Sequence, residues 1–162
     1  VRHAPAADKK KFKKTGKPDS LRPLTAEGKK KMRRAAKGLK RIAPSVDLIA
    51  SSPFLRAKQT GEIVSHEFRK AEQILVEELS ANAAPQDTVR WLGRRKEKTI
   101  ALVGHEPHLS GLIALLLAGD SKEITVLKKG QACLLESPGT PNPKTAKLLW
   151  SLQPDQLALI GK

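Results

Sequence analysis

Tyrosine is absent from this chain, and only three phenylalanines and two tryptophans supply aromatic rings. So few rings leave no row of stacking platforms of the kind that single-strand nucleic-acid binders use. Cysteine occurs once, as Cys133. A lone thiol makes no internal disulfide and no all-cysteine zinc site, and a reducing, cytoplasmic setting is expected. No apolar run approaches the roughly 20 residues that span a bilayer, so no membrane partner is expected. No signal-peptide pattern opens the chain. An initiator methionine is also lacking, and a processed or trimmed start is expected. Acidic side chains are scarce: 16 Asp and Glu stand against 31 Lys and Arg, for a formal net charge of +15. Such a surplus attracts anions.

The 162 residues, 39% of them hydrophobic, suit one domain over 1–162 with a single core. Residues 7–20 hold six lysines and end in turn formers, which predicts a long, mobile basic loop. Thr25 is placed to cap a helix, with Met32, Ala35, Ala36, Leu39 and Ile42 on its apolar side and Pro44 at its end. The run 46–50 predicts a buried strand, and Ser52-Pro53 predicts a helix start directly after it. A strand over 74–79, a helix over 85–95, a strand over 99–103 and a helix over 108–118 follow. Strands over 123–127, 131–136 and 147–152 complete the pattern. Strands alternating with helices predict an α/β fold, three layers in α/β/α order, on a mixed, mostly parallel sheet.

In such sheets ligands bind beyond the carboxyl ends of strands, where helix N-termini offer free N–H groups. Two strand-to-helix turns carry the right chemistry: SSPFLR with Arg56, and GHEPH with His105. The opening VRHAPA puts Arg2 and His3 in an equivalent place if Val1 ends another strand. Guanidiniums clamp a phosphoryl dianion with forked hydrogen bonds, and a neutral imidazole attacks phosphorus. His105 and His108 fall on a turn rather than one helical face, so no metal is expected.

The blocks VRHAPA (1–6), LRPLTAEGKK (21–30), SSPFLRAKQT (51–60) and LVGHEP (102–107) resemble, in order, those of the histidine phosphatase superfamily. Within this phosphoglycerate mutase-like fold they look most like the short bacterial phosphohistidine phosphatases of the SixA type. The resemblance implies catalytic roles for His3 as nucleophile and for Arg2, Arg56 and His105 as its phosphate-pocket companions. It implies substrate binding by Arg22, and neither cofactor nor metal. Two departures stand out. The signature glycine is Ala4, and the first strand, central in the family, is nearly absent, so upstream residues are expected in the natural protein.

Mutase and acid-phosphatase members use a carboxyl group to protonate the leaving oxygen. Here LSANAAP offers none at the matching place, with Glu77, Glu78 and Asp87 the acids nearby. A phosphoramidate needs less help, because imidazole leaves more readily than an alkoxide. The resemblance therefore implies a metal-independent phosphatase acting on phospho-histidine of a signalling protein. The alternatives are a small-molecule phosphatase for nucleotide, polyphosphate or sugar phosphate, and a phosphate-binding module without turnover. A phosphorylated protein or small phosphorylated substrate is the expected partner, and nucleic acid is disfavoured.

Overall fold

The computed structural model describes every residue except Pro44 and Glu123. Elements in chain order are α1 (Lys9–Lys13), α2 (Ala26–Ile42), β1 (Leu48–Ser51), α3 (Leu55–Ser65), β2 (Glu72–Leu75), α4 (Pro85–Leu92), β3 (Ile100–Val103), α5 (His108–Ala118), β4 (Ala132–Glu136), β5 (Lys147–Leu152) and α6 (Pro154–Ile160). Short 3-10 turns sit at Asp19–Leu21 and Glu77–Leu79.

β1 lies between β2 and β3, parallel to both, with Leu48 opposite Glu72 and Ile100. All four of its residues are buried, as a central parallel strand requires. β4 and β5 pair antiparallel. Residues 1–3 join the two sheets. Val1 N donates to Leu102 O, and Gly104 N to Val1 O, on one side. Arg2 N donates to Gln131 O on the other. Strand alternation separates the two faces. Ile49, Val103 and Ala132 pack against α2, α3 and α6 through Met32, Ala36, Val64 and Leu157. Leu102 and Leu135 of the opposite face pack against Val89 of α4 and Leu112 and Leu116 of α5. Ala50 on that face joins Val76 and Leu79. The result is the expected three-layer α/β/α arrangement with a mixed sheet. Each fully buried aliphatic side chain here contributes about 1.5–3 kcal/mol. An apolar groove of about 460 Å³ runs past Val1 along Ile100, Leu102 and Leu134.

The helix capped at Thr25 forms as expected, its Oγ1 accepting from Gly28 N at 2.9 Å. The stop expected at Pro44 lies outside the described residues, and α2 ends at Ile42. α6 closes over α2 so tightly that a Cβ on Gly38 would lie 1.8 Å from Leu157 O. The sequence pattern missed α6.

Other expectations shift. Residues 7–20 are not a loop throughout, because Asp8 accepts from Lys11 N and caps α1. The helix expected from Ser52-Pro53 begins at Leu55, and the Ser52 hydroxyl both accepts from Phe54 N at 3.3 Å and meets His105 Nε2. The strand expected over 74–79 ends at Leu75 and gives way to the 3-10 turn. The helix expected over 85–95 stops at Leu92. No strand forms over 124–127, and Glu123 lies outside the described residues. Ile124 and Val126 are exposed there, while Leu127 alone turns into the core.

Candidate active site

Three strand ends meet at one cleft. The chain from Val1 passes between Gly104 and Gln131. His3 follows, buried at the cleft, with Arg2 beside it. Ala4 is fully buried and is not among the positive-φ residues, so its methyl group sits without backbone strain where glycine is the family's choice. Its N–H donates to Thr60 Oγ1, and Thr60 Oγ1 donates to Arg56 O. One threonine thus ties the His3 segment to the helix that carries Arg56.

Arg2, His3, Arg22, Arg56 and His105, all singled out in the sequence, line this cleft together. The His3 and His105 rings stand 5.2 Å apart, centroid to centroid. The Phe54 ring lies 5.1 Å from His105, and the Arg56 guanidinium lies over Phe54 at 5.0 Å. The guanidinium of Arg2 is held by Nη1 donating to Leu127 O.

His3 Nδ1 lies 2.7 Å from Ala4 O. A carbonyl only accepts, so Nδ1 carries the proton and Nε2 presents its lone pair. Burial, followed by the charges of Arg56, Arg2 and Arg22, lowers the His3 pKa to about 4. His105 is lowered to about 3, by burial first and then by Arg56. Both rings are neutral at pH 7. His105 Nε2 meets Ser52 Oγ at 2.9 Å.

Sequence reasoning missed Asp19, which organises the arginines. Arg22 Nε donates to its Oδ1 at 2.7 Å. Arg56 Nη1 lies 3.1 Å from Oδ2 and donates to the Asp19 carbonyl at 2.9 Å. The hydrogen bond from Arg22, with the charges of Arg56 and Lys9, holds this carboxyl below its ordinary range. Arg22 also donates Nη1 to Ala7 O at 2.9 Å. The three-residue spacing in DSLR was the available signal for the Asp19–Arg22 half of this contact. The role of Ser52 was hidden by its resemblance to a helix cap.

Among the described residues, buried Arg2 Nε, Arg56 Nε and His105 Nδ1 find no protein partner. Leaving such groups unpaired costs about 1–3 kcal/mol each. His108, the metal-spacing neighbour, is committed elsewhere, with Nε2 3.0 Å from Thr88 Oγ1.

Comparison with known proteins agrees with this architecture. The fold superimposes on the protein histidine phosphatase SixA complexed with tungstate, with TM-score 0.80, 23% identity and coverage of 97% of this chain and 96% of that one. A candidate phosphohistidine phosphatase SixA from Agrobacterium tumefaciens matches at TM-score 0.77 and 19% identity, over 94% of each chain. The alpha-ribazole phosphatase of Shigella flexneri matches at TM-score 0.65 and 17% identity, over 91% of this chain and 92% of that one. An uncharacterized protein of Picosynechococcus sp. is 28% identical over 131 residues, which is 79% of this chain and 77% of that protein. The family description "histidine phosphatase superfamily (branch 1)" matches residues 1–81, the half that carries Arg2, His3, Arg22 and Arg56. With this match and the α/β/α fold, the chain belongs to the histidine phosphatase superfamily.

Proposed function

We propose that this protein is a metal-independent phosphohistidine phosphatase that removes phosphoryl groups from histidine of signalling proteins in the cytoplasm. The observation that carries the reading is the neutral His3, its Nδ1 tied to Ala4 and its Nε2 free, among arginines that line an open cleft. His3 Nε2 gives its electron pair to phosphorus while the phosphorus–nitrogen bond of the substrate breaks. That bond's electrons leave with the substrate imidazole, whose other ring nitrogen carries a proton in the phosphoramidate, so that it departs as neutral imidazole. Arg2 and Arg56 clamp the phosphoryl oxygens, and Arg22 contributes through Nη2. With Ser52 donating to His105 Nε2, the opposite nitrogen Nδ1 carries a proton toward the phosphoryl group. Water then displaces His3 from phosphorus, releasing phosphate and restoring the free ring.

The choice of phosphohistidine rests on the acids of the cleft. Asp8 is engaged as the cap of α1, and Asp19 is ion-paired to both arginines with its pKa held low. Asp19 so held does not suit proton donation at neutral pH. An imidazole leaving group, whose conjugate acid titrates near 6.5, departs without such help, whereas an alkoxide does not.

A specific observation favours a second reading. Glu106 also lines the cleft, beside His105, where it accepts from Ser110 Oγ. As a proton donor it would make the protein a small-molecule phosphatase. One experiment separates the two. Phosphate release is measured from a phosphohistidine protein, a phenyl phosphate and a sugar phosphate, with wild type and Glu106→Gln. The expected result is turnover of the phosphohistidine protein at least about 10²-fold above the sugar phosphate, unchanged in Glu106→Gln. Efficient sugar-phosphate turnover that Glu106→Gln abolishes would establish the second reading. No turnover of any substrate would leave a phosphate-binding module.

A further inference from the structure

We infer that α1, with the residues just after it, is a cationic docking element that selects an acidic protein segment around the phosphorylated side chain. The inference rests on the phosphatase reading and names the kind of partner that reading requires. Lys9, Lys10, Lys11, Lys13, Lys14 and Lys17 are all exposed. Among the described residues none of their ammonium groups is in an ion pair. Lys9 lines the catalytic cleft and acts on the Asp19 carboxyl, while Lys129 lines the same cleft. The lysines are therefore continuous with the site.

α1 has a conspicuous physical problem. Lys9 and Lys13, and Lys10 and Lys14, sit four residues apart, where like charges on a helix repel. Among the described residues, the Asp8 cap, the placement of cations at the helix end and the attraction of Lys9 to the Asp19 carboxylate offset this in part. An acidic partner would relieve the repulsion and hold α1 against the cleft.

The extent of the charge argues for a macromolecule. Lys30, Arg33, Arg34, Lys37 and Lys40 are exposed along α2, a 17-residue helix. Such a helix is about 25 Å long, far beyond the reach of a sugar phosphate. The shortage of aromatic rings and the absence of tyrosine favour protein over single-stranded nucleic acid.

The test uses two labelled peptides, each carrying the hydrolysis-resistant phosphohistidine analogue phosphoryl-triazolylalanine. One is flanked by glutamates and the other by glutamines. Binding is read by fluorescence anisotropy with wild type and a Lys10→Glu, Lys11→Glu, Lys13→Glu, Lys14→Glu variant. Wild type is expected to prefer the glutamate peptide by about tenfold at about 50 mM salt, with most of the preference lost by about 300 mM. The variant is expected to lose the preference while turning over phenyl phosphate within about twofold of wild type. Equal affinity of wild type for both peptides overturns the inference, as does a preference that survives in the variant. Tighter binding of a single-stranded RNA oligomer than of the glutamate peptide also overturns it, in favour of nucleic acid. Failure of wild type to turn over either phenyl phosphate or a phosphohistidine protein defeats the phosphatase reading alone, because the peptide preference is measured without turnover.

Discussion

His3→Ala is expected to lower kcat/KM for a phosphohistidine protein by at least about 10³-fold and to abolish the phosphoenzyme. The buried ring contacts His105 and Ala4, so its removal also leaves space, but at the cleft rather than in the central core. A folded variant is therefore expected, checked by circular dichroism. The phosphoenzyme is read by rapid quench with labelled substrate; phosphohistidine survives alkali and is lost in acid. Labelling of His3→Ala at the wild-type level would remove His3 from the mechanism.

The same residue predicts a pH profile. Attack needs the neutral ring, and the folded His3 pKa lies at about 4. If His3 alone sets the acid limb, activity stays level as pH falls through 6.5 and declines about tenfold per unit only below about 4. Stability, unlike activity, is not level in that window. An unfolded histidine binds its proton near 6.5, whereas buried His3 and His105 do not until about 4 and about 3. The unfolded chain therefore binds more protons between these limits, and stability falls as pH falls. Initial rates taken within seconds of a pH jump separate the two effects. An acid limb centred near 6.5 would contradict the buried, arginine-flanked environment of His3.

Gly28→Ala is expected to lower both stability and activity, although alanine is the better helix former by about 1 kcal/mol. The added Cβ would stand 2.0 Å from Pro5 O. That oxygen belongs to the backbone two residues after His3, and it also accepts from Thr25 N at 3.1 Å. It has no flexible side chain through which to yield. Either α2 moves outward or the Arg2–Pro5 segment moves. Overpacking of this kind costs about 1–3 kcal/mol and outweighs the propensity gain. In a domain of this size the melting temperature falls by about 2–4 °C for each kcal/mol. A displacement of His3 by about 1 Å lowers kcat/KM by up to about 10²-fold. Gly139→Ala is the control, since a Cβ there meets nothing within 4 Å, and it is expected to change neither quantity. A Gly28→Ala protein as stable and active as wild type would show that the Pro5 segment is not held against α2.

What the linear chain settled by itself was local. The apolar runs that became β1 and β3, the Thr25 cap with its amphipathic helix, and the apolar helix 108–118 depend on residues within a few positions of one another. Neighbours in sequence are neighbours in these elements, so periodicity reveals them. Of the cleft residues, Arg56 and His105 were legible because each follows an apolar strand, and Arg2 and His3 because they do so if Val1 ends another, whereas Arg22 came from the family resemblance alone. What the tertiary structure alone decided depends on distant partners. Residues 124–127 have strand-forming side chains but no neighbouring chain to pair with, so Ile124 and Val126 remain exposed. Ser52 reads only as a helix cap until folding brings His105, 53 residues away, to a hydroxyl that also accepts from Phe54 N. Asp19 reads as a turn residue until folding brings Arg56 within 3.1 Å of a carboxylate already bonded to Arg22. The lowered pKa of His3 follows from burial and from charges drawn from separate elements, whereas its protonated nitrogen is set by the adjacent Ala4 carbonyl. Helix and strand preference act over a few bonds, while hydrogen bonding and electrostatics act through space, and only a folded chain brings their partners together.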